Sequence, residues 1–161
     1  MTSTTDEILA AARARLAGAP REALGELRAP RPILGIARAP RIVPVGEAWH
    51  LGVLLLADEQ LAATGRIVRA REEARRGYTA ESQRERAALA AAAFRGGFGE
   101  GSTVHVDWHL IDVDALDAAS SPVALVDGQP MVRWSATGGL MPLERYLDER
   151  IGLLQHPPER A

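Results

Sequence analysis

In the stretch TVHVDWHLID, Thr103, His105, Asp107 and His109 alternate with Val104, Val106, Trp108 and Leu110. Read as a β-strand, this puts the four polar residues on one face and the apolar ones on the other. Imidazoles beside a carboxylate can ligate a divalent metal, or can act as a base that activates water. Spacing limits how many can act together, because alternate strand residues stand about 6.5–7 Å apart and His105 and His109 would be about 13 Å apart at the backbone. An adjacent pair, His105 with Asp107 or Asp107 with His109, can converge on one ion. A third ligand must then come from a neighbouring strand, and His50, at the head of the apolar run LGVLLLA and on the side shared by the small Gly52, is the candidate. The same four residues also make an ordinary solvated face of an antiparallel sheet. His105-x-Asp107 with the distant His156 has the form of a 2-His-1-carboxylate iron site, but too little chain follows His105 to build the barrel in which that triad sits.

What is missing narrows the chemistry further. The 161 residues contain no cysteine, and all 19 basic residues are arginine; asparagine is absent too, as in chains from GC-rich coding sequence. Lacking lysine, the chain cannot form a P-loop, a Schiff base or the kinase strand lysine contact. Lacking cysteine, it has no thiol nucleophile, thiolate zinc site, cysteine-held iron–sulfur cluster or internal disulfide. Residues 1–100 carry 15 Arg against 12 acids, and residues 101–161 carry 4 Arg against 9 acids; so small a basic balance spread over a hundred residues is too weak for a dedicated nucleic-acid binder.

Other motifs are weaker. RGGFGEGST, residues 95–103, follows a helical pattern and precedes a strand, the reverse of a phosphate-binding glycine loop, so Gly96 reads as a helix C-cap before a turn. Asp112, Asp114 and Asp117 lack the glycine and terminal glutamate of a calcium loop. Ser120, Ser121 and Ser135 have no nucleophile-elbow context. Trp49, Trp108 and Trp134 each fall in a strand-like run and read as core pillars.

The elements that must position these groups follow from periodicity and caps. Thr4 with Glu7 has capping-box spacing ahead of a helix whose face is Ile8, Leu9, Ala12 and Leu16, ended by Gly18 and Pro20. Residues 27–44 carry RAPR twice and prolines 30, 32, 40 and 44, an extended arm that could lie on the surface or clasp a partner. EAWHLGVLLL and LAATGRIVRA, joined by ADEQ, read as a hairpin whose first strand is apolar on both faces. Residues 71–78 are a charged connection; Thr79 or Ser82 then caps an alanine-rich helix running to about Phe94, with Ser82 and Glu85 at capping-box spacing. A strand over about 101–111 precedes PVALV and PMVRW, which flank the turn Asp127-Gly128-Gln129. Pro142 opens a last helix with Leu143, Tyr146, Leu147, Ile151 and Leu154 on one face, and a loose tail follows from Gln155.

This inventory predicts one α+β domain over 1–161: an N-terminal helix (1–18), the arm (27–44), a core of sheet and helix (45–154) and a tail (155–161). The sheet is expected to be mostly antiparallel, of about five strands, with three helices. The longest apolar run is far shorter than the roughly 20 residues of a membrane span, and the N-terminus is acidic where a signal peptide is basic, which reads as a cytoplasmic protein with no membrane partner.

GEAWHLGVLLL, ATGRIVRA, AAFRGGFGEG and RYLDERIGLLQHPP together resemble a group of small actinobacterial proteins, some of which carry a glutaminase label. The residues oppose that activity, since a Ser-x-x-Lys or cysteine nucleophile cannot be assembled here. The functional expectation is a non-enzymatic ligand- or protein-binding module that self-associates through its apolar sheet or alanine-rich helix, with the arm as a contact for a protein partner. The alternative is a metal-dependent, hydrolase-like enzyme using His105, Asp107, His109 and His50, with a divalent metal ion as the only cofactor implied.

Overall fold

The computed structural model describes residues 3–73, 77 and 80–159. Its order is α1 (Thr4–Leu16), β1 (Glu22–Arg28), β2 (Arg41–Leu51), β3 (Leu54–Leu56), β4 (Leu61–Ala63), β5 (Arg66–Arg69), α2 (Glu81–Arg95), β6 (Thr103–Val106), β7 (His109–Leu110), a 3-10 turn at Val113–Ala115, β8 (Val123–Val126), β9 (Gln129–Arg133), β10 (Leu140–Pro142) and α3 (Leu143–Gln155). The α+β class and the three helices are as the sequence implies. The expected five strands are corrected to ten among the described residues, in a seven-stranded sheet of order β5-β6-β1-β2-β3-β4-β7 and a three-stranded sheet of order β10-β9-β8. No helix among the described residues is long and apolar enough to cross a membrane.

The chain forms two compact units, and β2 runs through both. A terminal unit comprises Met1–Arg21, Ala48–Thr64 and His109–Ala161; an inner unit comprises Glu22–Glu47 and Gly65–Trp108.

In the terminal unit, α1 is capped one residue before the expected Thr4. Ser3 accepts from the Asp6 amide at 3.1 Å while the Asp6 carboxylate accepts from the Ser3 amide at 3.2 Å, so the capping box is Ser3/Asp6 and not Thr4/Glu7. The run Leu51–Leu56, expected as one central strand, is a hairpin: Gly52 takes φ +66° and folds β3 back on β2, with Trp49 opposite Leu56 and Leu51 opposite Leu54. Tyr146 of α3 closes that turn, its hydroxyl donating to Leu51 O at 2.9 Å and accepting from Val53 N at 2.8 Å. The Asp127-Gly128 turn has φ of +50° and +76°, the mirror-image geometry that matches strand twist, and sets Val126 opposite Gln129. Leu9, Leu16, Trp49, Leu51, Val132, Tyr146, Leu147 and Ile151 share this unit's core. Trp49 is a core pillar as expected, with its indole N–H donating to Ala19 O at 3.2 Å; Trp134 is not, being 48% exposed.

In the inner unit, β1 and β6 pair in parallel, Leu24 beside His105, and β5 pairs antiparallel with β6. Gly25 admits the Ile42 and Val104 side chains where a Cβ would collide with them. The alanine face of α2 meets Ile42, Val68, Val104 and Val106 in a second core. Gly96 does end α2, but with φ −76°; its necessity is steric, because a Cβ there would strike the carbonyl of Ile42. The helix is capped by Ala80 with no side-chain bond, so Ser82 is not its cap, and the proposed cap Thr79 and much of the connection 71–78 lie outside the described residues. The expected arm is the β1–β2 connection. It narrows to a tight turn in which Ile33 and Ile36 exchange backbone hydrogen bonds of 3.2 and 3.0 Å.

Candidate functional site

The alternation that puts Thr103, His105, Asp107 and His109 on one face holds only as far as Val106. Asp107 takes φ +56° and leaves the strand, pressed by its carbonyl against Gly65, where a Cβ has no room. Asp107 is exposed, with its carboxylate 3.7 Å from Arg66 Nε. His109 lies beyond the break in β7 of the terminal unit, exposed and in register with Ala63. His50 is half-buried near the end of β2, opposite Leu55, its Nε2 at 3.0 Å from Gly52 O. His105, by contrast, is fully buried in the inner unit.

The partner of His105 is a residue that spacing along one strand cannot reveal. Nε2 of His105 lies 3.2 Å from Oε2 of Glu22, carried by the parallel neighbour β1. The carboxylate is partly open to solvent and the imidazole is not. One nitrogen and one carboxylate oxygen are thus in place as potential metal donors, while Asp107 is engaged by a surface arginine. A sequence signal for Glu22 exists in hindsight: in EALGELR, Glu22, Leu24 and Glu26 share the strand face of a segment that otherwise favours helix.

The inner unit also carries an open groove of about 770 Å³ along β5 and α2. Its floor is apolar, from Ile67, Val68, Leu89 and Ala90, and its rim carries Arg66, Arg69, Arg71 and Arg86 against a single acid, Glu85. Among the described residues, Arg69, Arg71 and Arg86 have no carboxylate partner, and Arg66 has only the long contact to Asp107.

Strand β5 ends the sheet order, so among the described residues one of its edges faces no strand. The Ala70 amide donates to Ser102 O at 2.9 Å, which fixes the ladder's phase: Arg66 and Val68 address β6, whereas the N–H and C=O of Ile67 and Arg69 point to the free edge. Arg71, next in that phase, gives its N–H to Ala90 O of α2 at 3.1 Å and closes the groove at that end. The pattern R-I-V-R-A-R of residues 66–71 was visible in the sequence, but its meaning depends on β5 being an edge, which only topology decides.

Comparison with protein-family models, curated proteins and solved structures finds no match to this chain.

Proposed function

We propose that this protein is a non-enzymatic binding module whose groove beside β5 takes an acidic, extended peptide. The observation that carries this is the concurrence of a free strand edge, an apolar floor and four arginines facing one acid. A peptide adding as a strand satisfies the outward N–H and C=O of Ile67 and Arg69; its alternate side chains reach the apolar floor and its carboxylates meet the arginines. A labelled peptide of alternating Glu and Val tests this by fluorescence anisotropy at low salt, beside the same peptide with Lys for Glu. Binding of the acidic peptide only, lost in Arg69→Glu with Arg86→Glu and accompanied by slowed amide exchange at Ile67 and Arg69, supports the reading. No binding of either peptide, or equal binding of both, sinks it.

A second reading is favoured by the buried His105–Glu22 pair: a metal-dependent, hydrolase-like enzyme in which His105 and Glu22 are ligands. An imidazole nitrogen and a carboxylate oxygen side by side are donors that a divalent ion takes. Elemental analysis of protein purified without chelator decides this, because stoichiometric zinc, manganese or iron that is absent from His105→Ala and from Glu22→Ala would establish it. Metal-free protein whose thermal midpoint ignores added divalent ions would remove it.

A further inference from the structure

The tip of the β1–β2 connection has a composition and a shape that the groove reading does not use. Ile33, Leu34 and Ile36 are 57%, 95% and 70% exposed. They stand on a two-residue turn in which Leu34 and Gly35 both take positive φ, +54° and +76°. The left-handed conformation suits glycine or asparagine, and a leucine there is strained and fully presented to solvent. From Leu27 to Gly46 the chain carries Arg28, Arg31, Arg38 and Arg41 and no acid at all. A solvated loop has no use for three clustered aliphatic side chains at the end of a cationic stalk.

The terminal unit presents the complementary surface. A cleft of about 330 Å³ is formed where α1, the β3–β4 turn and the segment after β7 meet. Leu9, Leu61, Leu110 and Ile111 line it with apolar surface, and Leu110 is itself 57% exposed. Its charged groups are Asp6, Glu59 and Asp112 against Arg13. Arg13, whose Nε donates to Ala57 O at 2.8 Å, keeps its charge and offsets one of the three acids. Asp6 is held ionised by its hydrogen bonds to Ser3, which lower its pKa. The rim is therefore net acidic around an aliphatic floor.

We infer that the occupant of this cleft is the hairpin tip of a second copy of the chain, Leu34 and its isoleucine neighbours entering the apolar floor while the stalk arginines meet Asp6, Glu59 and Asp112. Charge complementarity selects this occupant: Arg28 pairs with Glu26 at 3.3 Å, but among the described residues Arg31, Arg38 and Arg41 have no carboxylate partner, and the rim has an acid excess. The contact joins two different patches, so it is heterologous, and it builds head-to-tail assemblies or a reciprocal dimer. A cleft of this size holds about ten waters by liquid volume, and their release on docking drives the association. With so small a contact, self-association is weak and concentration-dependent.

The test is sedimentation velocity of the full chain across a roughly thousandfold range of concentration. Wild type is expected to rise from the 17.3 kDa species towards dimer or larger. Leu34→Asp on the tip and Leu110→Asp in the cleft, both at exposed positions, should each remain monomeric with an unchanged circular dichroism spectrum. Mixed together they should associate again, because the intact tip of one fits the intact cleft of the other. Wild type that stays monomeric throughout overturns the inference, as does a Leu34→Asp protein that associates like wild type or a mixture that stays monomeric. Binding of monomeric wild type to phosphatidylserine vesicles, lost in Leu34→Asp, also overturns it and assigns the tip to an anionic lipid surface.

Discussion

His105 and Glu22 sit on parallel neighbouring strands with Nε2 and Oε2 3.2 Å apart, the imidazole sealed from solvent and the carboxylate at the mouth. Parallel pairing joins segments some eighty residues apart in the chain, so this contact depends on the inner unit's tertiary fold and reports on it. Glu22→Ala removes an acceptor from a buried imidazole and is expected to lower the unfolding free energy by about 1–3 kcal/mol, the lower end applying if water enters the vacated mouth. Glu22→Gln, which keeps an oxygen acceptor, should lose less. Urea unfolding of the three proteins checks this, and equal midpoints would show that the pair contributes nothing to stability.

Gly52 and Tyr146 form a second unit of structure that can be tested as a cycle. Tyr146→Phe forfeits hydrogen bonds to Leu51 O and Val53 N in a buried site, a loss of roughly 1–3 kcal/mol. Gly52→Ala suffers both a positive φ and a collision of the new Cβ with the Tyr146 hydroxyl. Removing that hydroxyl relieves the collision, so the double variant should be less destabilised than the sum of the singles, with a coupling of about 1 kcal/mol. Strict additivity in thermal or urea unfolding would contradict the contact.

What could be read in advance was local, and what could not was a matter of partners. The stripe Leu143, Tyr146, Leu147, Ile151 and the Asp127-Gly128 turn are legible because helix period and turn chemistry act within a few residues. The strand β1 was missed because EALGELR favours helix on its own and becomes a strand only by pairing with β6. The run LGVLLL looked like one strand because apolarity alone does not mark a reversal; Gly52, with the Tyr146 hydroxyl waiting beside it, does. The candidate site is a matter of partners too. His105 is buried, which alternation alone does not tell, and the break at Asp107 is imposed by close packing against Gly65, some forty positions away in the chain.

Gly96 and Gly97 separate sterics from backbone preference. Gly96 has an ordinary φ of −76° but faces the Ile42 carbonyl, which is strand backbone and cannot step aside; Gly97 has φ +108° but open space around it. Gly96→Ala should therefore cost more than the roughly 1–3 kcal/mol of a typical overpacked core. Gly97→Ala should cost only the left-handed penalty, about 1–2 kcal/mol. Calorimetric midpoints in the order wild type, Gly97→Ala, Gly96→Ala are expected, and the reverse order of the two variants would refute the close approach.

The capping box of α1 gives the acid limb of stability a named contributor. Hydrogen bonds from Ser3 hold the Asp6 carboxyl below the ordinary carboxylate range. A carboxyl whose folded pKa is depressed contributes stability that is present in full above its unfolded value and is lost as pH falls through the folded one. Ser3→Ala removes the hydroxyl bond, the larger cause, and keeps the backbone one, so the variant should be less stable than wild type at neutral pH and the difference should shrink as the pH drops below the unfolded carboxylate value. A gap between the two proteins that is constant from neutral pH to pH 3 would exclude this linkage.

Leu34 makes a prediction in the opposite direction from the others. Its backbone is left-handed, its side chain is almost wholly exposed, and Gly35 follows it, so the turn has the geometry for which Asn-Gly is the favoured sequence. Leu34→Asn removes no packing and relieves the left-handed strain, and is expected to raise the stability of the monomer by roughly 0.5–1 kcal/mol, read from the urea midpoint at low protein concentration. The same substitution takes the apolar crown off the hairpin, so at high concentration it should abolish association. A strained and exposed leucine fits a side chain that makes a contact. A variant that is no more stable than wild type would mean that the leucine carries no local cost, and that its exposure needs no contact to explain it.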